Sequence, residues 1–240
     1  MLLTSEKRGG KLVVMPRRLR FASGGYVYHV LNRAVGRARI FSKARDYEAF
    51  EEVLVEAKQR LPMRVLAWSA MPNHWHLALW PRGDGDLSEF MRWMTVTHTQ
   101  RWHAAHHTAG TGPLYQGRFK SFPIEEDDHL WTVLRYVERN ALRANLVERA
   151  EEWRWCSLWH RAQCNATLLD EGPLPLPRDW LRQVQLPQTE GELAALRRSV
   201  ARGTPYGAES WQERTAKRLG LESTLRARGR PRKEVPPDAR

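Results

Sequence analysis

The 240-residue sequence predicts an α+β fold: a ferredoxin-like antiparallel sheet with helices on one face, plus a small C-terminal helical extension and a basic tail. Three observations predict it. Short stretches with two-residue alternation mark four strands, longer ones with apolar residues three and four apart mark helices, and the two kinds follow in the order β-α-β-β-α-β-α. At 42% hydrophobic residues, a chain of this length can bury one substantial core with a small module left over.

The elements follow in order. Gly25 to Arg33 alternates β-branched and aromatic residues and reads as the first strand. Asp46 to Arg60 carries Tyr47, Phe50, Val53, Leu54 and Ala57 at helical spacing, with Asp46 in the first turn. Met63 to Ala70 and Asn73 to Trp80 read as two strands, and Met71-Pro72-Asn73 between them makes a hairpin. Leu87 to Ala105 is a long helix, Phe119 to Ile124 a short strand, and Asp128 to Ala141 a further helix. Pro173 to Pro177 marks a linker, after which Glu190 to Arg202 and Ala208 to Leu219 read as two helices ending at Gly203 and Gly220.

The third strand carries His74-Trp75-His76. Alternation sends both imidazoles to one face, about 7 Å apart, and Trp75 to the other. Two neutral imidazoles on a rigid strand form a chelating pair for a divalent metal and need one more ligand. The helix after the fourth strand supplies candidates. Leu130, Val133, Leu134 and Val137 form its packing stripe, while Tyr136 and Asn140, four residues apart, share a face. A metal held by His74, His76 and the amide oxygen of Asn140 would lie within reach of the Tyr136 hydroxyl.

Charge placement narrows the partner. The net +12 sits at the ends, with +5 on residues 1–20 and +7 on residues 197–240, around a neutral body. Basic arms beside a folded domain suit a polyanion, with nucleic acid the leading partner. No apolar stretch reaches the ~18 residues of a membrane span and no signal-peptide core is present, so the expected location is the cytoplasm. Cys156 and Cys164 lack metal-type partners in sequence and read as a core thiol and a loop thiol. Most of the eleven tryptophans, Trp93, Trp131 and Trp155 among them, occupy apolar-stripe positions and read as core rather than as base-stacking platforms.

Taken together, His74-Trp75-His76, the single tyrosine on its helix and Tyr136-Val137-Glu138-Arg139-Asn140-Ala141-Leu142-Arg143-Ala144-Asn145-Leu146-Val147 resemble the single-tyrosine HUH transposases of the IS200/IS605 group. The likeness is stronger to their domesticated relatives, the REP-associated tyrosine transposases. Also similar to that branch are Met15-Pro16-Arg17-Arg18 leading to Tyr28-His29-Val30, Leu114 to Ser121, Trp153 to Ser157, Gly203 to Gly207 and Arg228 to Arg232. The one departure is Ala141, where relatives have proline after the asparagine; no functional group is lost.

The resemblance implies an HUH endonuclease fold and a division of the chain. Residues 1–14 form a disordered extension before a start at Met15, 15–160 the catalytic domain, 161–189 a Pro-containing linker, and 190–240 a helical region with a DNA-binding tail. It implies Mg²⁺ or Mn²⁺ on His74, His76 and Asn140, and attack by Tyr136 on a DNA phosphate, leaving a 5′-phosphotyrosine and a free 3′-hydroxyl without a nucleotide cofactor. The implied partners are single-stranded hairpins of repetitive extragenic palindromes, handled by a monomer near the bacterial nucleoid, with no membrane. DNA contacts are expected from Arg17, Arg18, Arg118, Lys120, Arg139 and Arg143, and from the tail residues Arg226, Arg228, Arg230, Arg232 and Lys233. Two other classes stay open: a non-catalytic DNA-binding regulator of repeat elements, and a metal-dependent phosphodiesterase using water, for which Tyr136 would be dispensable.

Overall fold

The computed structural model describes residues 22–165 and 167–226. The expectations on 1–14, Arg17, Arg18, Arg228, Arg230, Arg232 and Lys233 lie outside the described residues. Along the chain come β1 (Val27–Arg33), α1 (Ala44–Arg60), β2 (Arg64–Met71), β3 (His74–Trp80), α2 (Asp86–Ala105), β4 (Lys120–Ile124), α3 (Asp128–Glu138) and α4 (Asn140–Arg143). Then follow α5 (Ser157–Ala162), α6 (Trp180–Gln185), α7 (Glu190–Arg202), α8 (Glu209–Leu219) and α9 (Glu222–Leu225). The sheet order is β2-β3-β1-β4 with every neighbouring pair antiparallel. This is the ferredoxin-like arrangement: β1-α1-β2 is a crossover, and β3 returns between its two strands.

Helices cover both faces of this sheet, not one. On the first face, Val30, Val65, Trp68, Trp75, Leu77 and Leu79 pack with Phe50, Val53 and Leu54 of α1 and Leu87, Phe90 and Met94 of α2. On the second, Val27, Leu66, Ala67, Ala78, Phe122 and Ile124 pack with Leu130, Val133, Leu134 and Val137 of α3, then with Trp180, Val184 and Leu196 beyond it. The physical reason is that the strands are apolar on both sides. Six of the seven β1 residues and five of the seven β3 residues are buried, so a one-sided cover would leave a hydrophobic face in water. A bulge between Val65 and Ala67 adds to it by turning both Leu66 and Ala67 toward α3.

The hairpin forms as expected, with Met71 paired to His74 across Pro72-Asn73. Its turn is held from outside: Ile40 and Phe41 donate their N–H groups to the Pro72 carbonyl at 2.9 and 3.1 Å, and Ala34 donates to Asn73 at 2.9 Å. The stretch expected as a linker is packed rather than free. Asp170 accepts from Val65 N at 2.8 Å, Lys58 Nζ reaches the Leu168 carbonyl at 2.8 Å, and α6 buries Trp180 and Val184. Its prolines break helix formation, but Leu168 and Trp180 still have apolar surface to bury. Cys156 is buried and Cys164 exposed, matching the core and loop readings. Among the described residues, no helix is long and apolar enough to cross a membrane.

Candidate active site

Register brings the site together. In antiparallel pairs, residues directly opposite share a face. His76 lies opposite Leu31 and His74 opposite Arg33, so β1 presents His29 and Arg33 beside the two histidines. Trp75 points to the other face, where it is fully buried and its Nε1–H donates to Tyr115 Oη at 2.9 Å. The His74 and His76 rings stand 5.0 Å apart, near perpendicular.

Helix α3 lies over this face and delivers Tyr136. Its ring meets His76 edge-on at 5.7 Å and His29 at 6.0 Å between centroids. The helix is locally well specified: Asp127 caps it by accepting from His129 N at 2.9 Å, and its apolar stripe faces the sheet. The expected unbroken helix to Ala141 is interrupted. α3 ends at Glu138, Arg139 is its C-cap, and Asn140 opens the short α4.

Arg143 of α4 ties the elements to one another. Its guanidinium sits 4.1 Å above the Tyr136 ring, and it donates to Asn140 Oδ1 at 2.9 Å. Asn140 is buried, and its Nδ2 has no hydrogen-bond partner among the described residues. Burial holds His74 at about 4, with Arg33 and Arg143 pushing the same way. Burial holds His29 at about 3 and His76 well below the usual imidazole range. The site imidazoles are therefore neutral at physiological pH, the state that ligates metals.

Glu138, two residues past Tyr136, points away from the site and is fully buried. It accepts from Ser157 Oγ at 2.5 Å, Arg161 Nε at 3.0 Å and Trp180 Nε1 at 2.6 Å. Ser157 in turn accepts from Trp68 N at 3.0 Å, so the end of α3 is fastened to β2, α5 and α6 at once.

The basic residues divide. Arg118 and Lys120 are exposed and line a groove of about 490 Å³ with Arg202, between β4 and α7 to α9. The segment before Arg118 is fixed to the end of β1: Gln116 N donates to Arg33 O at 2.9 Å, and Asn32 Nδ2 to Gly117 O at 3.1 Å. Arg139 is partly engaged elsewhere, its Nε donating to Gln185 O at 3.3 Å. Arg226 is exposed at the end of α9. Sequence reasoning missed His29, Arg33 and Arg202. Alternation along β1 puts His29 and Arg33 on one face, but only the strand order makes that face the one bearing His74 and His76.

A second group that could hold an ion lies at the start of α3, where ligand atoms of Glu125, Asp127 and His129 fall within 4.8 Å of one another. His129 is seven residues from Tyr136, about 10 Å along the helix. Both carboxylates already have structural work: Asp127 caps α3, and Glu125 accepts from Ala208 N at 2.6 Å.

Buried neutral histidines make the metal-free fold acid-sensitive. His29 and His98 are each held at about 3 by burial, against 6.5 when exposed. The unfolded chain therefore takes up protons that the folded one refuses, so stability is full above pH 6.5 and falls as pH drops toward 3. The expected slope approaches about 1.4 kcal/mol per pH unit for each such histidine. Urea midpoints at pH 7 and pH 5 in chelator test this, and equal midpoints would contradict it.

Comparison with known proteins agrees with this geometry. Residues 23–140, which hold the whole sheet, both histidines, Tyr136 and Asn140, match the family described as "Transposase IS200 like". No curated protein matches the sequence. A solved structure described as a REP-associated tyrosine transposase bound to a REP hairpin superposes with a TM-score of 0.50 at 20% identity, covering 69% of this chain and 96% of that one. A structure described as a transposase from Deinococcus radiodurans R1 covers 56% of this chain and 96% of its own at 15% identity, with a TM-score of only 0.36. The first of these shows the shared fold, and the stretch that carries His74, His76, Tyr136 and Asn140 is the stretch that is similar to the IS200-like transposase family.

Proposed function

We propose that the chain is a metal-dependent single-stranded DNA endonuclease and strand transferase that nicks hairpins of the REP type through a 5′-phosphotyrosine on Tyr136. The observation that carries this reading is the placement of the Tyr136 ring 5.7 Å from His76 and 4.1 Å from the Arg143 guanidinium, over a face bearing two neutral histidines. The hairpin substrate is taken from the solved structure that shares the fold.

The donor set fits a divalent cation. His74 and His76 offer imidazole lone pairs, and Asn140 can offer its amide oxygen once Arg143 yields it; the unpartnered Nδ2 leaves that amide underused in its present setting. Mg²⁺ or Mn²⁺ bound there supplies polarisation of a non-bridging phosphate oxygen. The chain's own groups do the rest. Arg143 and Arg33 flank His74 and pair with phosphate oxygens. The Tyr136 oxygen attacks phosphorus in line, the bond from phosphorus to the 3′-oxygen breaks, and the tyrosine proton ends on the departing 3′-hydroxyl. Reversal by the 3′-hydroxyl of another strand rejoins DNA with no energy input, because the phosphodiester is conserved in the adduct.

Hairpin DNA lies along the groove lined by Arg118, Lys120 and Arg202, with Arg226, Arg139, the N-terminal Arg17 and Arg18, and Arg228, Arg230, Arg232 and Lys233 of the tail as further phosphate contacts. Arg118→Ala with Lys120→Ala is expected to lower the slope of log affinity against log salt by about 1.8, roughly 0.9 per lost contact with the base-paired stem. An unchanged slope in a filter-binding titration would remove both residues from the interface.

The test of the function is a hairpin oligonucleotide incubated with Mn²⁺ and run on a denaturing gel. A covalent protein–DNA band lost in His74→Ala supports the transferase. Cleavage without a band indicates hydrolysis by water, and binding without cleavage indicates a regulator.

A further inference from the structure

His29 has no place in the chemistry above, yet its side chain is fully buried in the second face of the sheet. A buried imidazole needs hydrogen bonds to offset its desolvation. Its one partner among the described residues is His76: His29 Nε2 lies 2.9 Å from His76 Nδ1, with the rings stacked at 5.0 Å. The other nitrogen, Nδ1, has none. A contact of this length between two ring nitrogens holds one proton, so one ring donates and the other accepts.

Which ring donates decides what His76 offers the site. If His29 Nε2–H donates, His76 carries its own proton on Nε2 and presents an N–H, which repels a cation. If His76 Nδ1–H donates, its Nε2 keeps a lone pair facing the site. The surroundings of His29 favour the second arrangement, which puts its proton on Nδ1. The neighbours of the ring are aromatic, with Phe122 at 4.9 Å and Tyr136 at 6.0 Å between centroids, and an unpartnered nitrogen in π-rich surroundings is better tolerated as an N–H than as a lone pair.

We propose that His29 is a positioning residue: by accepting the Nδ1–H of His76, it holds that histidine in the tautomer and ring orientation that point the Nε2 lone pair at the bound cation. Ligating histidines commonly donate their second nitrogen to a carboxylate or a carbonyl. Here a second histidine on the neighbouring strand does the same work, placed diagonally to His76 because His29 lies opposite Ala78. The inference rests on His74 and His76 being the metal ligands.

Two measurements on DNA-free protein test it. In ¹⁵N-histidine-labelled protein, long-range proton–nitrogen correlation reads the tautomer of His76 directly, with Nδ1–H expected. In parallel, electron paramagnetic resonance of free Mn²⁺ reads affinity. His29→Leu is expected to weaken binding 10- to 100-fold, and His29→Gln, whose amide oxygen can accept, to recover most of it. An Nε2–H tautomer in the wild type overturns the proposal, as does equal Mn²⁺ affinity in His29→Leu and wild type. Should His29→Leu fail to fold, the wild-type tautomer and the His29→Gln affinity still decide. Unchanged binding in His74→Ala refutes the metal reading beneath the proposal. Loss in His74→Ala with none in His29→Leu removes the positioning role alone.

Discussion

Tyr136→Phe is expected to abolish the covalent protein–DNA product while leaving hairpin affinity within about threefold. The substitution deletes one oxygen atom from a ring whose packing against His29, His76 and Arg143 is otherwise unchanged. The fold and the basic groove do not depend on that oxygen, whereas the proposed attack on phosphorus has, among the described residues, no other phenol beside His76. Removing the nucleophile costs on the order of 10³-fold or more in strand cleavage. The decisive comparison is a denaturing gel beside a binding titration on the same preparation. Residual cleavage above a hundredth of wild type, without a covalent band, would mean that water attacks directly and that Tyr136 only packs.

The second large effect concerns stability. Glu138→Leu is expected to lower stability by about 3–5 kcal/mol, because it removes the fully buried counter-charge of the Arg161 guanidinium, which then keeps only the Leu66 carbonyl as acceptor. Ser157 Oγ and Trp180 Nε1 lose their acceptor at the same time. For a chain of this size the melting temperature should fall by roughly 10 °C. Adding Arg161→Met removes the stranded charge and should recover part of the loss, a non-additivity that simple cavity or volume effects would not produce. Because Glu138 fastens the end of α3 just past Tyr136, the covalent yield should also fall well below the melting temperature. A melting temperature within 2 °C of wild type would show that the network contributes little.

Much of this was legible in the residues themselves. The alternation of β1 and β3, the periodicity of α1, α2 and α3, and the Pro72-Asn73 turn are local properties, each set by side chains within a few positions of one another. The same is true of the pairing of His74 with His76 on one face, which needs only strand alternation. Expected and observed ends of these elements differ by three residues or fewer.

Other features were decided beyond local reach. Helix α3 stops at Glu138 although its apolar pattern continues, because Asn140, Ala141 and Arg143 are drawn against the site and the sheet by contacts that periodicity does not encode. Residues 161–189 looked like a linker by composition, yet Trp180 is buried there because Glu138, forty-two positions earlier, accepts its N–H. The cover on the second face follows from the burial of both sides of the strands, which appears only when all four are assembled.

The sequence by itself determined the chemistry available to this protein: two imidazoles, a phenol, an amide and a surplus of arginine, together with the local elements that carry them. Only the tertiary structure decided that β1 lies beside β3, so that His29 and Arg33 join His74 and His76, and that α3 crosses the same face with Tyr136. The physical reason is that strand order and helix docking are set by summed burial across the whole core, a quantity no single segment contains.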